Sequence, residues 1–206
     1  MLKNDKWILE QAQKGMIEPF ESLLVREVDN RPVISYGLSS YGYDLRLAPS
    51  DFRVFRHIPG TIVNPKRFDS ENLESVPLKT DEDGSFFIIP ANSYALGVSL
   101  ERLKIPANIT VVCIGKSTMA RCGIIANITP AEASWEGYLT LEFSNASSAD
   151  CRIYANEGVL QLLFLEGEPC QTTYADRFGK YQDQPQFVTL ARVWSVRQAW
   201  LTVTVI

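Results

Sequence analysis

From residue 40 onward, the sequence is divided into short runs in which apolar and polar residues alternate, and each run ends at residues that favour turns. Alternation with a period of two is typical of strands that bury one face. The predicted strands span residues 40–47, 52–55, 85–89, 94–100, 109–114, 124–128, 138–143, 152–154 and 159–165. So many short strands, separated by Gly, Pro, Asn and Asp, predict a mainly all-β protein built as a distorted β-barrel or jelly roll.

The first residues of the chain follow a different pattern. In residues 5–16, Ile8 and Ala12 recur at helical spacing. Asp5 stands where an N-cap is expected, and Gly15 stands where a helix would stop. We therefore expect a short N-terminal helix before the strands.

No linker or internal repeat divides the rest of the chain, so we expect a single domain over residues 1–192. Within it, residues 68–84 are polar and acidic and are predicted to form an excursion on the surface. Residues 193–206 carry two tryptophans and end in an alternating run. We interpret them as a C-terminal extension, to which the sequence assigns no role.

The composition narrows the classes of function. A formal net charge of −4 argues against a nucleic-acid-binding protein, because such proteins usually carry a basic surplus. No run approaches the ~20 apolar residues of a membrane span, and the first residues lack the apolar stretch of a signal peptide. We expect a cytoplasmic protein that binds neither nucleic acid nor a membrane. Four dispersed cysteines and one histidine, His57, provide no closely spaced ligand set, so no zinc or other protein-bound metal is expected.

The densest polar segment in apolar surroundings is G-K-S-T-M-A-R, at residues 115–121. Two cations between apolar strands are costly to bury unless they meet anions or stay in water. Lys116 and Arg121 supply charge for a phosphate group, and Ser117 and Thr118 supply hydroxyl donors. The same residues also fit a surface turn with solvated cations, so the segment alone leaves both interpretations open.

A carboxylate stands in the apolar stretch W-E-G-Y-L-T-L-E-F, at residues 135–143. Alternation places Leu139, Leu141 and Phe143 on one face of the predicted strand, and Tyr138, Thr140 and Glu142 on the other. If the second face lines a pocket, Glu142 is a candidate general acid and base. Burial would then raise its pKa, and a neighbouring cation such as Arg121 would lower it. A glutamate that simply faces solvent is the commoner arrangement on such a strand.

Two further segments carry polar groups that need an explanation. Gln161 lies within the apolar run G-V-L-Q-L-L-F, where its amide needs hydrogen-bonding partners. A nucleotide or the neighbouring backbone could provide them. Residues 174–184 are rich in side-chain donors and weak in regular pattern. They fit a flap that closes over a charged ligand, and they equally fit a solvated tail.

Taken in order, these segments closely resemble the dCTP deaminase family, which belongs to the dUTPase-like superfamily. The resemblance rests on G-K-S-T-M-A-R, W-E-G-Y-L-T-L-E-F, G-V-L-Q-L-L-F and Y-A-D-R-F-G-K-Y-Q, together with S-S-Y-G-Y-D-L-R at residues 39–46. It extends over residues 1–192, and four ordered motifs are far more specific than any one of them. It implies a subunit of the dUTPase-like type, a homotrimer, and active sites at the subunit interfaces.

The resemblance also implies an activity and a set of site residues. The family hydrolyses the 4-amino group of dCTP to give dUTP and ammonia without a protein-bound metal, which supplies dUTP for the synthesis of dUMP and dTTP. Mg²⁺ is expected to be carried by the triphosphate, and dTTP is an expected inhibitor. Glu142, Ser117 and Arg121 are the implied catalytic residues. The implied substrate-binding residues are Lys116, Ser117, Thr118, Met119, Ala120, Arg121, Thr140, Leu141, Glu142, Gln161, Tyr174, Lys180 and Gln184.

For the chemical step, we expect ionised Glu142 to take a proton from a water near Ser117, while Arg121 orients Glu142 and keeps it ionised. The H-x-E and P-C-x-x-C signature of zinc deaminases is absent from the sequence. Two other functions stay open. One is a bifunctional enzyme that carries dCTP through to dUMP and diphosphate, and the other is a non-catalytic nucleotide-binding regulator on the same fold.

Overall fold

The computed structural model describes residues 1–127 and 129–193. Its helices are α1 (Asp5–Ala12) and α2 (Ser117–Arg121), and a single 3-10 turn spans Ser70–Asn72. Its strands are β1 (Ile17–Glu18), β2 (Leu24–Val28), β3 (Arg31–Ser39), β4 (Gly42–Arg46), β5 (Arg53–Phe55), β6 (Leu73–Ser75), β7 (Lys79–Asp81), β8 (Gly84–Ile89), β9 (Tyr94–Lys104), β10 (Ile109–Gly115), β11 (Ile124–Ala126), β12 (Glu136–Asn145), β13 (Cys151–Tyr154) and β14 (Gly158–Glu166).

The described strands form three antiparallel sheets. One has the order β11-β12-β9-β5-β6, with β1 paired to β9; the second has the order β10-β14-β4-β3-β2; the third has the order β13-β8-β7. More than half of the strand pairings join strands that are not consecutive in sequence. The strands therefore surround a common interior and do not form a series of separate hairpins. The mainly all-β prediction with a short N-terminal helix is confirmed.

One large cluster of buried apolar side chains joins the three sheets. Phe87 on β8, Phe143 on β12 and Phe164 on β14 contribute one aromatic ring from each sheet, and all three are fully buried. Phe52 stacks on Phe87, with ring centroids 4.5 Å apart. Burial of each such side chain stabilises the fold by about 1.5–3 kcal/mol, so the strands that carry the polar groups described below rest on a packed core.

Helix α1 starts at Asp5 as predicted, but its N-cap is Asn4, whose Oδ1 accepts a hydrogen bond from the Trp7 backbone N at 3.2 Å. A residue whose backbone is still extended is the one that caps a helix, and Asn4 has φ −94° and ψ 175°. The helix ends at Ala12, short of the predicted end at residue 16. The chain turns there, and Gly15 takes a left-handed φ of 85° that favours glycine.

A hairpin formed by β2 and β3 was not predicted from the sequence. Its turn residues, Asp29 and Asn30, have φ values of 50° and 60°, which is the backbone geometry of a tight hairpin turn that Asn and Asp tolerate. The strand predicted over residues 40–47 begins later, at β4, because residues 40 and 41 form the turn between β3 and β4. This arrangement places Ser35 and Ser39 of β3 beside β4.

The prediction of a surface excursion over residues 68–84 is wrong in part. The segment contains a 3-10 turn and the strands β6 and β7, and Leu73 is buried against Leu96 and Val188. The acidic residues around Leu73 make the segment polar on average, so the burial of this one side chain was not predicted. The excursion therefore forms part of the wall above β9 and β12.

In residues 1–127 and 129–193, neither α-helix is long and apolar enough to cross a membrane. Of the predicted C-terminal extension, Val193 alone falls within the described residues, and the remainder lies outside them.

Candidate active site

Strand β12 shows the alternation that the sequence predicted. Leu139, Leu141 and Phe143 point into the core, whereas Thr140 and Glu142 lie half-buried on the opposite face. Glu142 is opposite Leu96 of β9 in the register of the sheet. The Glu142 side chain therefore stands on the outer face of the first sheet, directly above a firmly packed core.

Burial raises the pKa of Glu142 to about 7. The carboxylate also affects its neighbours. The pKa of the Tyr94 hydroxyl is raised by burial first and then by the charge of Glu142. Burial raises the pKa of the Cys113 thiol to about 12, and Glu142 contributes to that increase. In the described part of the chain, no cation pairs with Glu142, so desolvation determines how readily it ionises.

Glu142 lines a cavity of about 310 Å³. Its apolar wall consists of Phe55, Phe68, Tyr94, Leu96 and Leu139. Phe55 packs edge-on against Phe68 and Tyr94, with ring centroids 5.9 Å and 5.5 Å away. An apolar, largely aromatic wall facing a single carboxylate and a few hydroxyl and amide groups suits a small heterocyclic ring.

Residues 174–192 of the same chain, called the C-terminal segment below, close this cavity. Gln184 is buried, and its Oε1 accepts a hydrogen bond from Thr140 Oγ1 at 2.9 Å. The Thr189 backbone N donates to the same Thr140 oxygen at 3.1 Å. The Tyr138 backbone N donates to Gln184 O at 2.9 Å. The structure thus brings together three of the predicted site residues, Glu142, Thr140 and Gln184, and the segment is not a solvated tail.

A second polar cluster surrounds Asp44 on β4. Lys116 Nζ forms an ion pair with the Asp44 carboxylate and lies 3.2 Å from Ser35 Oγ. Gln161 Nε2 donates to Asp44 Oδ1 at 3.0 Å and to Ser39 Oγ at 3.1 Å. Lys116 and Gln161 are therefore neighbours, and the partners of the Gln161 amide are side chains rather than the backbone suggested as one possibility by the sequence.

Residues 117–121 form the short helix α2 rather than the surface turn that the sequence left open. Ser117, Thr118, Ala120 and Arg121 are exposed. Met119 is buried in the core, so a contact between it and a ligand would have to involve its backbone, and the same holds for the buried Leu141. Arg121 Nη1 donates to its own Ser117 O at 3.3 Å.

The two groups of predicted site residues are separate within one chain. No described residue between positions 116 and 121 lines the Glu142 cavity. Helix α2 is nevertheless connected to β12 through β11, and the Asn127 backbone N donates to Glu142 O at 2.9 Å. Neighbouring elements therefore connect Arg121 to Glu142, but the two side chains do not contact each other within one chain.

Tyr174 and Lys180 lie near the edge of the C-terminal segment. The Tyr181 backbone N donates to Tyr174 Oη at 3.0 Å, and Lys180 Nζ donates to Arg192 O at 2.8 Å. Tyr181 itself lines the Glu142 cavity, whereas Tyr174 and Lys180 do not. His57 is exposed. Among the described residues, no group of three or more His, Cys, Asp or Glu side chains is placed to hold a metal ion; the expectation of a protein without its own metal stays a prediction.

Asp44 is the residue of this region that sequence reasoning did not assign to the site. A signal was present, because an aspartate between Tyr43 and Leu45 in an apolar strand is costly to bury without partners. The identity of those partners depends on pairing between strands that are far apart in sequence.

Comparisons with known proteins identify the family of this chain. The profile of a family described as dCTP deaminase-like matches residues 2–167. A dCTP deaminase from a Polaromonas species is 53% identical over 193 residues, covering 93% of this chain and 98% of the relative. A dCTP deaminase from Francisella tularensis subsp. novicida is 51% identical over 185 residues, covering 89% of this chain and 95% of the relative.

Among solved structures, the 2'-deoxycytidine 5'-triphosphate deaminase from Agrobacterium tumefaciens matches with a TM-score of 0.55 and 17% sequence identity. The match covers 81% of this chain, and this chain spans 48% of that protein. The similarity shows that the two proteins share a fold.

Proposed function

This chain belongs to the dCTP deaminase-like family, and we propose that it hydrolyses dCTP to dUTP and ammonia with Glu142 as the group that moves the protons. The observation that carries the mechanism is the cavity around Glu142, in which a single carboxylate faces an apolar wall. Burial raises the pKa of this carboxylate to about 7, near the pH at which a general base and acid is most effective.

The reaction requires three proton movements at cytosine. Ionised Glu142 takes a proton from a water molecule, and the resulting hydroxide forms a bond to C4. Glu142 then passes that proton to N3. The other proton of the water, which remains on the hydroxyl at C4, then moves to the 4-amino group. The C4–N bond breaks, and ammonia leaves as the C4 carbonyl forms. Positioned acid–base transfer of this kind contributes about 10²–10⁴-fold to the rate. Ser117 is proposed to hold the water.

The triphosphate is assigned to the other polar group. Lys116, Ser117, Thr118 and Arg121 offer two cations and two hydroxyl donors, which is the donor set that phosphate oxygens require. The proposed substrate is dCTP with Mg²⁺ on its phosphates, because Mg²⁺ commonly binds to substrate phosphates with few protein ligands. Met119, Ala120 and Leu141 are proposed to contact the nucleotide through their backbone. The same nucleotide site would accept dTTP as an inhibitor.

The C-terminal segment is proposed to close over the nucleotide. Thr140 and Gln184 already bond to each other above Glu142, and a ligand in the cavity would meet both. Gln161 would complete the nucleotide contacts from β14. Tyr174 and Lys180, near the edge of the segment, are assigned to the phosphate end of the nucleotide, which extends beyond a cavity of about 310 Å³.

A homotrimer with sites shared between copies is proposed for a physical reason. Arg121 and Glu142 do not meet within one chain, whereas the mechanism needs a cation beside the carboxylate. Apolar side chains flank α2 on β10 and β11: Val112, Ile114 and Ile125 are 39%, 40% and 55% exposed. An apolar surface of this kind beside a helix that carries polar residues is typical of an interface.

We also propose that the enzyme acts in the cytoplasm, because free deoxynucleotides occur there.

An ammonia assay with purified protein, dCTP and Mg²⁺ tests the proposed function. We expect equal amounts of ammonia and dUTP, identified by chromatography of the nucleotide products. Diphosphate and dUMP in place of dUTP would instead establish a bifunctional enzyme. Binding of dCTP without ammonia would identify a non-catalytic regulator and overturn the proposal. CTP, which carries a 2'-hydroxyl, is the matched control substrate.

A further inference from the structure

Asp44 is a carboxylate in the interior of the protein. It is 4% exposed, and all five residues of β4 are buried. A charge in such surroundings is costly unless other groups compensate it. The packing of the strand would be satisfied by an apolar residue of similar volume. The partners of Asp44 therefore indicate why the site holds a carboxylate.

These partners are two of the residues assigned to the nucleotide. Lys116 Nζ pairs with Asp44, and the side chains of the two residues are 11% and 6% exposed. Gln161 Nε2 donates to the other carboxylate oxygen at 3.0 Å. The Asp44 carboxylate thus joins an ammonium that follows β10 to an amide on β14.

Strand register explains why the three side chains meet. Gln161 pairs with Asp44 across β14 and β4, and Ile114 pairs with Gln161 across β10 and β14. Directly paired residues share a face of the sheet, and so do residues two apart on a strand. Lys116 follows Ile114 by two residues and therefore emerges on the side of the sheet that carries Gln161 and Asp44.

We infer that Asp44 is a positioning residue for nucleotide binding, whose carboxylate holds Lys116 in the orientation that receives a phosphate oxygen and Gln161 in the orientation that receives a donor group of the sugar or base. This inference rests on the proposed function. A lysine ammonium has three donors; one is directed to Asp44 and one to Ser35, which leaves one for a phosphate oxygen. Both amide hydrogens of Gln161 are used by Asp44 and Ser39, which leaves its Oε1 to accept from the ligand. Side chains ordered before binding do not lose that freedom when the ligand arrives.

The first test is Asp44→Asn, which keeps the size of the side chain and removes its charge. We expect the KM for dCTP to rise about tenfold, because a hydrogen bond to a charged group is lost, while kcat stays within about twofold. The affinity for deoxycytidine, which has no phosphate for Lys116 to bind, should fall less than the affinity for dCTP. A KM equal to that of the wild type would overturn the inference.

A double-variant comparison separates positioning from a purely structural role. Lys116→Met alone should raise the KM, and adding Asp44→Asn to it should raise the KM by clearly less than tenfold, because the part of the Asp44 effect that acts through Lys116 is already lost. A further tenfold loss in the double variant would contradict the inference. If Asp44→Asn alone does not fold, this comparison still decides, because the double variant contains neither buried charge.

Two controls accompany these variants. Glu157 is also buried, at 8% exposed, and its Oε2 accepts from the Ile34 backbone N at 2.7 Å. Glu157→Gln should therefore leave the KM for dCTP unchanged; a tenfold rise would show that loss of any buried carboxylate has the same effect and would overturn the inference. Wild-type protein that releases no ammonia from dCTP would refute the proposed function, whereas an active wild type with an unaffected Asp44→Asn variant would refute the positioning role alone.

Discussion

Each of the two polar regions of this protein contains a carboxylate removed from water, but the surroundings of the two carboxylates differ. Asp44 is compensated within its own chain by a lysine and a glutamine. Glu142 is surrounded by Phe55, Tyr94 and Leu96, and no described residue of its own chain offers it a cation. The first carboxylate is held in place by its two partners, whereas burial raises the pKa of the second to about 7.

This difference separates binding from proton transfer. A carboxylate whose two oxygens are bonded to a lysine and a glutamine holds those groups in place, but its oxygens are not available to a reacting ligand. A carboxylate with a raised pKa can accept a proton and return it, and burial without a charged partner raises the pKa. The three predictions that follow test whether the two regions differ in this way and whether they meet in the assembled enzyme.

The largest effect is expected for Glu142→Gln. The variant keeps the shape of the side chain but cannot accept a proton, so we expect ammonia release to fall by about 10³-fold while dCTP still binds with nearly wild-type affinity. Initial rates and equilibrium binding of dCTP provide the two measurements.

Glu136→Gln is the matched control, because Glu136 lies on the same strand and the same face. Its carboxylate pairs with Arg102 on the partly exposed surface, where loss of an ion pair costs about 1 kcal/mol or less. We expect nearly wild-type rates from this variant. Near-normal turnover by Glu142→Gln would exclude Glu142 as the base.

An intermediate effect is expected when two inactive variants are combined. Chains with Glu142→Gln and chains with Arg121→Gln are each expected to be nearly inactive alone. If each site takes Glu142 from one copy and Arg121 from another, random trimers co-expressed from equal amounts should recover about a quarter of the wild-type sites. Specific activity of the co-purified mixture measures this. A mixture as inactive as its components would show that the two regions do not meet across copies.

The smallest effect concerns pH. A cation beside Glu142 favours its ionised form, so in the wild type the pKa should fall below the value of about 7 that burial alone produces. In Arg121→Gln the pKa should return to about 7, and the residual kcat/KM should fall about tenfold between pH 8 and pH 6. The wild type should lose less over the same range. Identical acid limbs in the two profiles would show that Arg121 does not influence Glu142.

The face of Glu142 could be predicted because it depends on local sequence alone. Period-two alternation over residues 138–143 determines which side chains point away from the core, and the apolar residues at 139, 141 and 143 leave little choice. The same logic predicted most strands of the two larger sheets, with errors of a few residues at their ends.

The role of Asp44 could not be predicted, because it depends on register between β4, β14 and the end of β10. Lys116 and Gln161 lie 72 and 117 residues from Asp44 in the sequence, and no pattern within one strand specifies which residue lies opposite on another. The β2–β3 hairpin was missed for a related reason. Its apolar residues stand in adjacent pairs, Leu24-Val25 and Val33-Ile34, rather than in strict alternation, and its turn at Asp29 and Asn30 depends on their tolerance of positive φ.

The way in which the C-terminal segment is tied to β12 has a consequence for the order of events in a reaction cycle. Its base is held by main-chain bonds from Asp183 N to Glu136 O and from Tyr138 N to Gln184 O, both 2.9 Å, and its outer part is held over Thr140 by Thr189. The Val188 backbone N also donates to Asp51 Oδ2 at 2.9 Å, and its side chain is buried. We expect the outer part to lift when these contacts break while the base stays attached, with Pro185 next to the pivot. Nucleotide exchange then requires partial undocking rather than release of the whole segment, and product departure becomes a local step that can limit turnover.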